Sequence, residues 1–146
     1  MRMLVARVNH AKLEVEGKEI ANIGSGYIVY FGVKDTDTLA LAEKCANKLN
    51  TMRLIHDEDG KMNLKLDPKT QEILVVSQFT LYGDASNNNR PSFTKAAKGD
   101  QALPIYLHFV ECLRKLGHRV QTGQFGAHMI IQAEYDGPLN LLYELE

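Results

Sequence analysis

The hydrophobic pattern switches from an alternating period to a helical one near residue 35, and that switch restricts the chain to folds that combine a sheet with helices. Before it, Leu4-Val5-Ala6-Arg7-Val8 is followed by the alternating Lys12-Leu13-Glu14-Val15. After Gly17 the pattern continues through Ile20, Ile23 and the run from Tyr27 to Val33, punctuated by Gly24, Gly26 and Gly32. Short strands bounded by glycine predict antiparallel hairpins, with Gly24-Ser25-Gly26 as a hairpin turn. Past the switch, Asp35-Thr36-Asp37-Thr38 offers cap oxygens, and Leu39, Ala42, Cys45, Ala46, Leu49 and Met52 form one apolar stripe.

A second helix is predicted from about Gln101 to Leu116, with Pro104 in its first turn and Gly117 as its stop. Between the helices, Glu72-Ile73-Leu74-Val75-Val76 is apolar on both faces, which suits a central strand. Ala127 to Ala133 and Leu139 to Leu145 are two further strand candidates around a Gly-Pro turn. Many short strands and two helices give an α+β domain with a curved, barrel-like, mainly antiparallel sheet. Helices do not alternate regularly with strands, which argues against a doubly wound parallel sheet.

A length of 146 residues suits one domain, and no repeat or linker divides it. Seventeen basic and eighteen acidic residues leave a net charge of -1, which excludes a broad basic nucleic-acid surface. The two cysteines, Cys45 and Cys112, lie on apolar helix stripes and read as small core residues of a protein in a reducing cytoplasm. No apolar run approaches a membrane span, and the N-terminus lacks the apolar region of a signal peptide. The five histidines have no zinc-hydrolase spacing, no Walker loop or GxSxG elbow is present, and neither a metal nor a cofactor is expected.

Three stretches carry polar chemistry. Ser77-Gln78-Phe79-Thr80 ends the buried strand, and period-two alternation aims Ser77 and Phe79 to one side and Gln78 and Thr80 to the other. A strand end whose hydroxyls tie down a turn accounts for the same residues. Asp136-Gly137-Pro138 reads as a turn, although a proline also makes a cis peptide accessible. The loop from Ala85 to Lys98 carries Arg90, Lys95 and Lys98 without an acid, and Phe93 sits among them. That mixture suits a single-stranded nucleic-acid end, although an ordinary solvated loop is its commoner source.

Taken together, these stretches resemble one family. Ser77-Gln78-Phe79-Thr80-Leu81 resembles the SQFTL signature of D-aminoacyl-tRNA deacylases. Gly60-Lys61-Met62-Asn63, Leu81-Tyr82-Gly83-Asp84, Arg90-Pro91-Ser92-Phe93-Thr94 and Thr122-Gly123-Gln124-Phe125-Gly126-Ala127 fit the same family in the same order, and Asp136-Gly137-Pro138 falls at its second signature. The likeness runs from Met1 to about Leu145, so residues 1–146 are expected to form one deacylase domain.

The resemblance implies a cytoplasmic homodimer of barrel-like subunits that acts on tRNA, not on a membrane. It implies hydrolysis of the ester between a D-amino acid, or mischarged glycine, and the terminal adenosine of tRNA. Ser77, Gln78, Phe79 and Thr80 would form the catalytic stretch, and Gln78, Phe125 and Met129 the adenosine pocket. Gly137 and Pro138, joined by a cis bond, would enter the partner subunit's site and turn their carbonyl oxygens toward the substrate Cα. An L side chain would collide with that wall. Arg7 matches the arginine that orients the motif.

No histidine or carboxylate adjoins Ser77 or Thr80 in sequence, so Thr80 is read as a positioning group. The 2′-hydroxyl of the tRNA would then help position or activate water, with N–H groups near Phe79 and Thr80 receiving the oxyanion. The family pattern Asn-x-Gly-Pro-Val-Thr is departed from in Tyr135-Asp136-Gly137-Pro138-Leu139-Asn140, so the hydrogen bonds bracing the motif must differ. Two other functions compete: a non-catalytic binder of tRNA acceptor ends, and a small-ester hydrolase with Thr80 as nucleophile.

Overall fold

The computed structural model describes all 146 residues. In chain order the elements are β1 (Arg2–Val15), β2 (Lys18–Ile23), β3 (Gly26–Gly32), α1 (Leu39–Thr51), β4 (Ile55–His56), β5 (Met62–Leu64), β6 (Glu72–Ser77), a 3₁₀ turn (Phe79–Tyr82), α2 (Gly99–Lys115), β7 (Arg119–Thr122) and β8 (Ile130–Glu144).

The two segments expected near the N-terminus are one 14-residue strand, β1, and the sheet is built around it. β8 runs antiparallel along one edge from Arg2↔Glu144 to Glu14↔Ile130. The other edge is shared: β3 pairs with Arg2 to Val8, and β2 with Ala11 to Val15, both antiparallel to β1. β2 and β3 therefore run in the same direction, one after the other. Gly24-Ser25-Gly26 is accordingly an in-line break and not a hairpin turn. Gly26 is required there: its φ is +154°, and a Cβ would lie 1.8 Å from the Glu72 carbonyl oxygen. The true hairpin is β1–β2, where Glu16 and Gly17 both have positive φ (51° and 76°).

Beyond β3, β6 and then β7 add in parallel, so the sheet is mixed although its longest pairings are antiparallel. β6 is central and buried, as its two-faced apolar sequence requires. The sheet curls until β7 reaches β2. Gln121 of β7 accepts from the Asn22 N–H at 2.8 Å and donates to the Asn22 carbonyl at 2.8 Å, which nearly closes the barrel.

Both helices cover one face, over Met3, Val5, Tyr27, Val29, Phe31, Ile73 and Val75. Phe31 stacks on Phe109 of α2 with ring centroids 4.1 Å apart, and burying each such side chain contributes about 1.5–3 kcal/mol. The other face holds a second cluster that includes Val8, Leu13, Ile23, Ile28, Leu74 and Val76. α1 is capped by Thr38, whose side chain accepts from the Leu41 N–H. Asp37 instead sits buried against the Met1 amino group at 2.9 Å and the Lys34 N–H at 2.7 Å. α2 begins two residues before the expected Gln101, which moves Pro104 into its second turn, and Gly117 (φ +95°) ends it as expected. Cys45 is buried and Cys112 half-buried; both are free, and burial pushes both thiols up, Cys45 to about 11. No helix is long and apolar enough to cross a membrane.

The largest departure from the sequence reading is at Gly137–Pro138. The pair does not turn between two strands, because the residues on both sides of it pair with the same strand, β1. Ala6 faces Asn140 and Val8 faces Tyr135, so Asp136, Gly137, Pro138 and Leu139 all lie opposite Arg7 alone. The motif is a wide bulge inside one long strand, and its Gly137–Pro138 peptide is cis.

Candidate active site

A pocket of about 510 Å³ opens at the C-terminal end of β6. One wall is the strand end and the turn after it, Ser77, Gln78 and Phe79. A second is the start of α2, where Gly99 and Ala102 leave space and Tyr106 closes the floor. The third is the segment from Phe125 to Met129 between β7 and β8. Ser77, Gln78 and Phe79 thus meet Phe125 and Met129 from a distant part of the sequence, and the start of α2 adds the remaining wall.

The expected alternation of Ser77 to Thr80 fails after Ser77. β6 ends there, Gln78 takes an irregular conformation (φ −145°, ψ 84°), and Phe79 begins a 3₁₀ turn. The Gln78 N–H donates to the Phe31 carbonyl at 2.9 Å, which fixes where the strand stops. Its side-chain amide donates to the Thr80 hydroxyl. Thr80 is exposed and does not line the pocket itself; it meets the site through Gln78. The N–H groups of Phe79 and Thr80 open the turn, no side chain caps them, and no backbone carbonyl accepts from them. They remain available as paired donors.

Arg2 holds this turn from below. Its guanidinium donates to the Leu81 carbonyl at 2.7 Å and to Glu144 at 2.8 Å, and lies 4.7 Å from the centre of the Tyr82 ring. Phe79 is 57% exposed, yet its ring meets Phe93 edge-on at 5.1 Å. Phe93 therefore anchors the basic loop to the lip of the pocket, and its ring is half-buried instead of free to stack on a base. Asp84 and Ser92 close that loop by two 2.8 Å backbone hydrogen bonds, leaving Arg90, Lys95 and Lys98 exposed.

The pocket lining holds no carboxylate and no thiol. Its titratable side chains are Tyr106 and His128. The Tyr106 hydroxyl donates to the Val75 carbonyl at 3.0 Å, and burial pushes it up to about 12, so it offers no base. His128 is exposed at the rim, beside a smaller groove formed with Glu14, Glu16 and Gln124. No three His, Cys, Asp or Glu side chains converge as metal ligands.

Arg7, Gly137 and Pro138 do not line this pocket. Arg7 is buried on the helix-covered face, where it donates to the Leu54 carbonyl at 2.7 Å and sits 3.0 Å from an Asp136 carboxylate oxygen. Gly137 and Pro138 are exposed on the bulge. Gly99, Ala102 and Tyr106 escaped the sequence reading; the spacing of small residues across Ala97, Gly99 and Ala102 is the signal that marks a helix start with room in front of it.

Residues 4–144 match the family described as D-Tyr-tRNA(Tyr) deacylase. Proteins named D-aminoacyl-tRNA deacylase from Thermotoga petrophila and Lactobacillus acidophilus are 46% and 41% identical to this chain. The first match covers 99% of this chain and 97% of the relative, the second 99% and 100%. A solved structure described as c-Myc DNA Unwinding Element Binding Protein superposes with a TM-score of 0.93 at 36% identity, over 100% of this chain and 99% of the other. A probable eukaryotic D-amino acid tRNA deacylase shares the fold at a TM-score of 0.82 and 18% identity, over 99% and 98%.

Proposed function

The chain belongs to the D-Tyr-tRNA(Tyr) deacylase family, and from that premise we propose that residues 1–146 act as one domain that hydrolyses D-aminoacyl-tRNA, releasing the free D-amino acid and tRNA. The observation that carries the mechanism is the chemistry of the pocket. It has the volume for a nucleoside, two unpaired N–H donors at one lip and no carboxylate or thiol in its lining.

Such a site suits an activated ester whose own substrate helps the attack. The terminal adenosine sits between Gln78, Phe125 and Met129. Water, positioned or activated by the 2′-hydroxyl beside the ester, attacks the carbonyl carbon. The Phe79 and Thr80 N–H groups donate to the developing oxyanion, the bond to the ribose oxygen breaks, and that oxygen takes a proton. Thr80, held by Gln78, positions rather than attacks.

The filter is supplied by a second copy of the chain. Gly137 and Pro138 stand on an exposed bulge away from their own pocket, as a wall for the partner's pocket must. Their carbonyl oxygens face the substrate Cα, reject an L side chain and pass a D side chain or glycine. The exposed Leu142 and Tyr135 on the uncovered sheet face give a homodimer an apolar surface to bury. The enzyme works in the cytoplasm on the aminoacylated end of tRNA. A net charge of -1 fits a protein that grips only that tip, through Arg90, Lys95 and Lys98.

Parallel deacylation of D-tyrosyl-, L-tyrosyl- and glycyl-tRNA tests the reading. The D and glycyl esters are cleaved and the L ester is spared. Equal rates on the D and L esters would leave an unselective esterase, and tight tRNA binding without cleavage would leave an acceptor-end binder.

A further inference from the structure

We propose that Tyr135 and Tyr30 form a hydroxyl bridge that braces the Gly137–Pro138 bulge on the sheet face opposite Arg7, and that this bridge helps set the preference for D over L esters. The selectivity part rests on the deacylase reading above.

A bulge of four residues opposite one has no regular ladder to hold it. On the helix-covered face Arg7 does so, through Asp136 and through its contact with Leu54. On the other face the residue that enters the bulge is Tyr135, in register with Val8. Its hydroxyl lies 3.3 Å from the hydroxyl of Tyr30, and either can donate. Tyr30 belongs to β3 and is in register with Leu4, so the bridge runs diagonally across β1.

The rows it spans include the step from Ala6 to Val8 that the bulge interrupts. Between Leu4 and Val8 on this face lies Ala6, whose partner Asn140 is the first residue to rejoin the ladder after the bulge. A methyl group there leaves room for two phenol rings to meet above β1, and Ala6 is fully buried although both helices are on the opposite side. Asn140 makes no side-chain hydrogen bond, so the tyrosine pair is the polar side-chain contact that ties this face of the bulge to the sheet. Burial and the hydrogen bond to Tyr135 hold the Tyr30 phenol well above the usual tyrosine range.

A wall that rejects an L side chain must resist a push of a few tenths of an ångström. Losing one neutral hydrogen bond behind it lowers discrimination by about two- to tenfold. Tyr135→Phe and Tyr30→Phe keep both rings and remove the bond, and the double variant removes nothing more. Each single variant is expected to cut the ratio of D- to L-tyrosyl-tRNA hydrolysis two- to tenfold, with L cleavage rising and the melting temperature little changed. The double variant should match the singles, and amide hydrogen exchange at Gly137 and Leu139 should speed up by a similar factor. An unchanged ratio in both single variants overturns the proposal, whatever the exchange rates do, and so does a double variant whose loss is the product of the two. If the unaltered protein shows no D preference, the deacylase reading fails, and unchanged exchange at Gly137 and Leu139 would separately refute the brace.

Discussion

Arg7 Nε lies 3.0 Å from Asp136 Oδ2 at the one place where four residues of β8 face a single residue of β1. The N–H is not aligned on the carboxylate, so the contact is an ion pair, and the guanidinium's hydrogen bond goes to the Leu54 carbonyl. A Cβ on Gly137 would come within 3.0 Å of Arg7 Nη2, and φ there is +123°, so glycine is what lets the bulge sit against the arginine.

Arg7→Met should loosen this arrangement. It keeps an apolar stem but leaves the buried Leu54 carbonyl without its donor and Asp136 without its counter-charge. The expected cost is about 1–3 kcal/mol of folding stability, read from urea unfolding midpoints, together with a lower D-to-L ratio. A variant with unchanged stability and unchanged selectivity would show that Arg7 does not hold the bulge.

Gly123→Ala tests the far wall of the pocket. The new Cβ would lie 2.5 Å from Met129 Sδ and 3.1 Å from Leu13, so the flexible Met129 must shift. Overpacking of this kind costs roughly 1 kcal/mol of folding stability, and the displaced Met129 should raise KM for D-tyrosyl-tRNA with kcat less affected. A fall in kcat at constant KM would place Met129 at the reacting ester instead of beside the adenosine.

Thr80→Ala separates positioning from covalent catalysis. Thr80 meets the site through the Gln78 amide, so its loss should slow deacylation two- to tenfold. A loss of several orders of magnitude, with an acyl-enzyme trapped from the unaltered protein, would make Thr80 the nucleophile.

How much of this was legible in the sequence follows from the range of the interactions. The helices, the central strand and the stop at Gly117 are local patterns and could be read directly. The bulge could not, because Asp136-Gly137-Pro138 has the composition of a turn, and only the pairing of both flanks with β1 shows that the chain never reverses. The Gly24-Ser25-Gly26 break hid for the same reason: β2 and β3 share one edge of a strand long enough to serve both. In the site, Ser77 to Phe79 and Phe125 to Ala127 were legible as motifs, and Met129 through the family resemblance. Thr80's indirect route through Gln78 was not, since it depends on β6 ending in a 3₁₀ turn. Gly99 and Ala102 matter for the space they leave, which no chemical motif records.

His118 predicts an acid limb in stability. It is buried between the end of α2 and Asn50 of α1, with Nε2 2.9 Å from Asn50 Oδ1, and burial pulls its imidazole below the usual range. The unfolded chain therefore takes up a proton near pH 6.5 while the folded chain does not. Stability is complete above that pH and declines as pH falls from about 6.5 through the lower folded value. His118→Gln should remove this step, and a histidine NMR titration with a midpoint at or above 6.5 would contradict it.

The most direct test of the account asks whether the bulge of one subunit serves the pocket of another. One subunit carries Gly99→Phe, which projects into the pocket from a position where a Cβ meets only Phe125 at 3.8 Å. The other carries Gly137→Ala, which disturbs the bulge. Mixed dimers isolated through two different tags should contain one intact pocket facing one intact bulge and should cleave D-tyrosyl-tRNA while sparing the L ester. Mixed dimers no more selective than the Gly137→Ala homodimer would show that the filter acts within its own subunit, and would contradict the account.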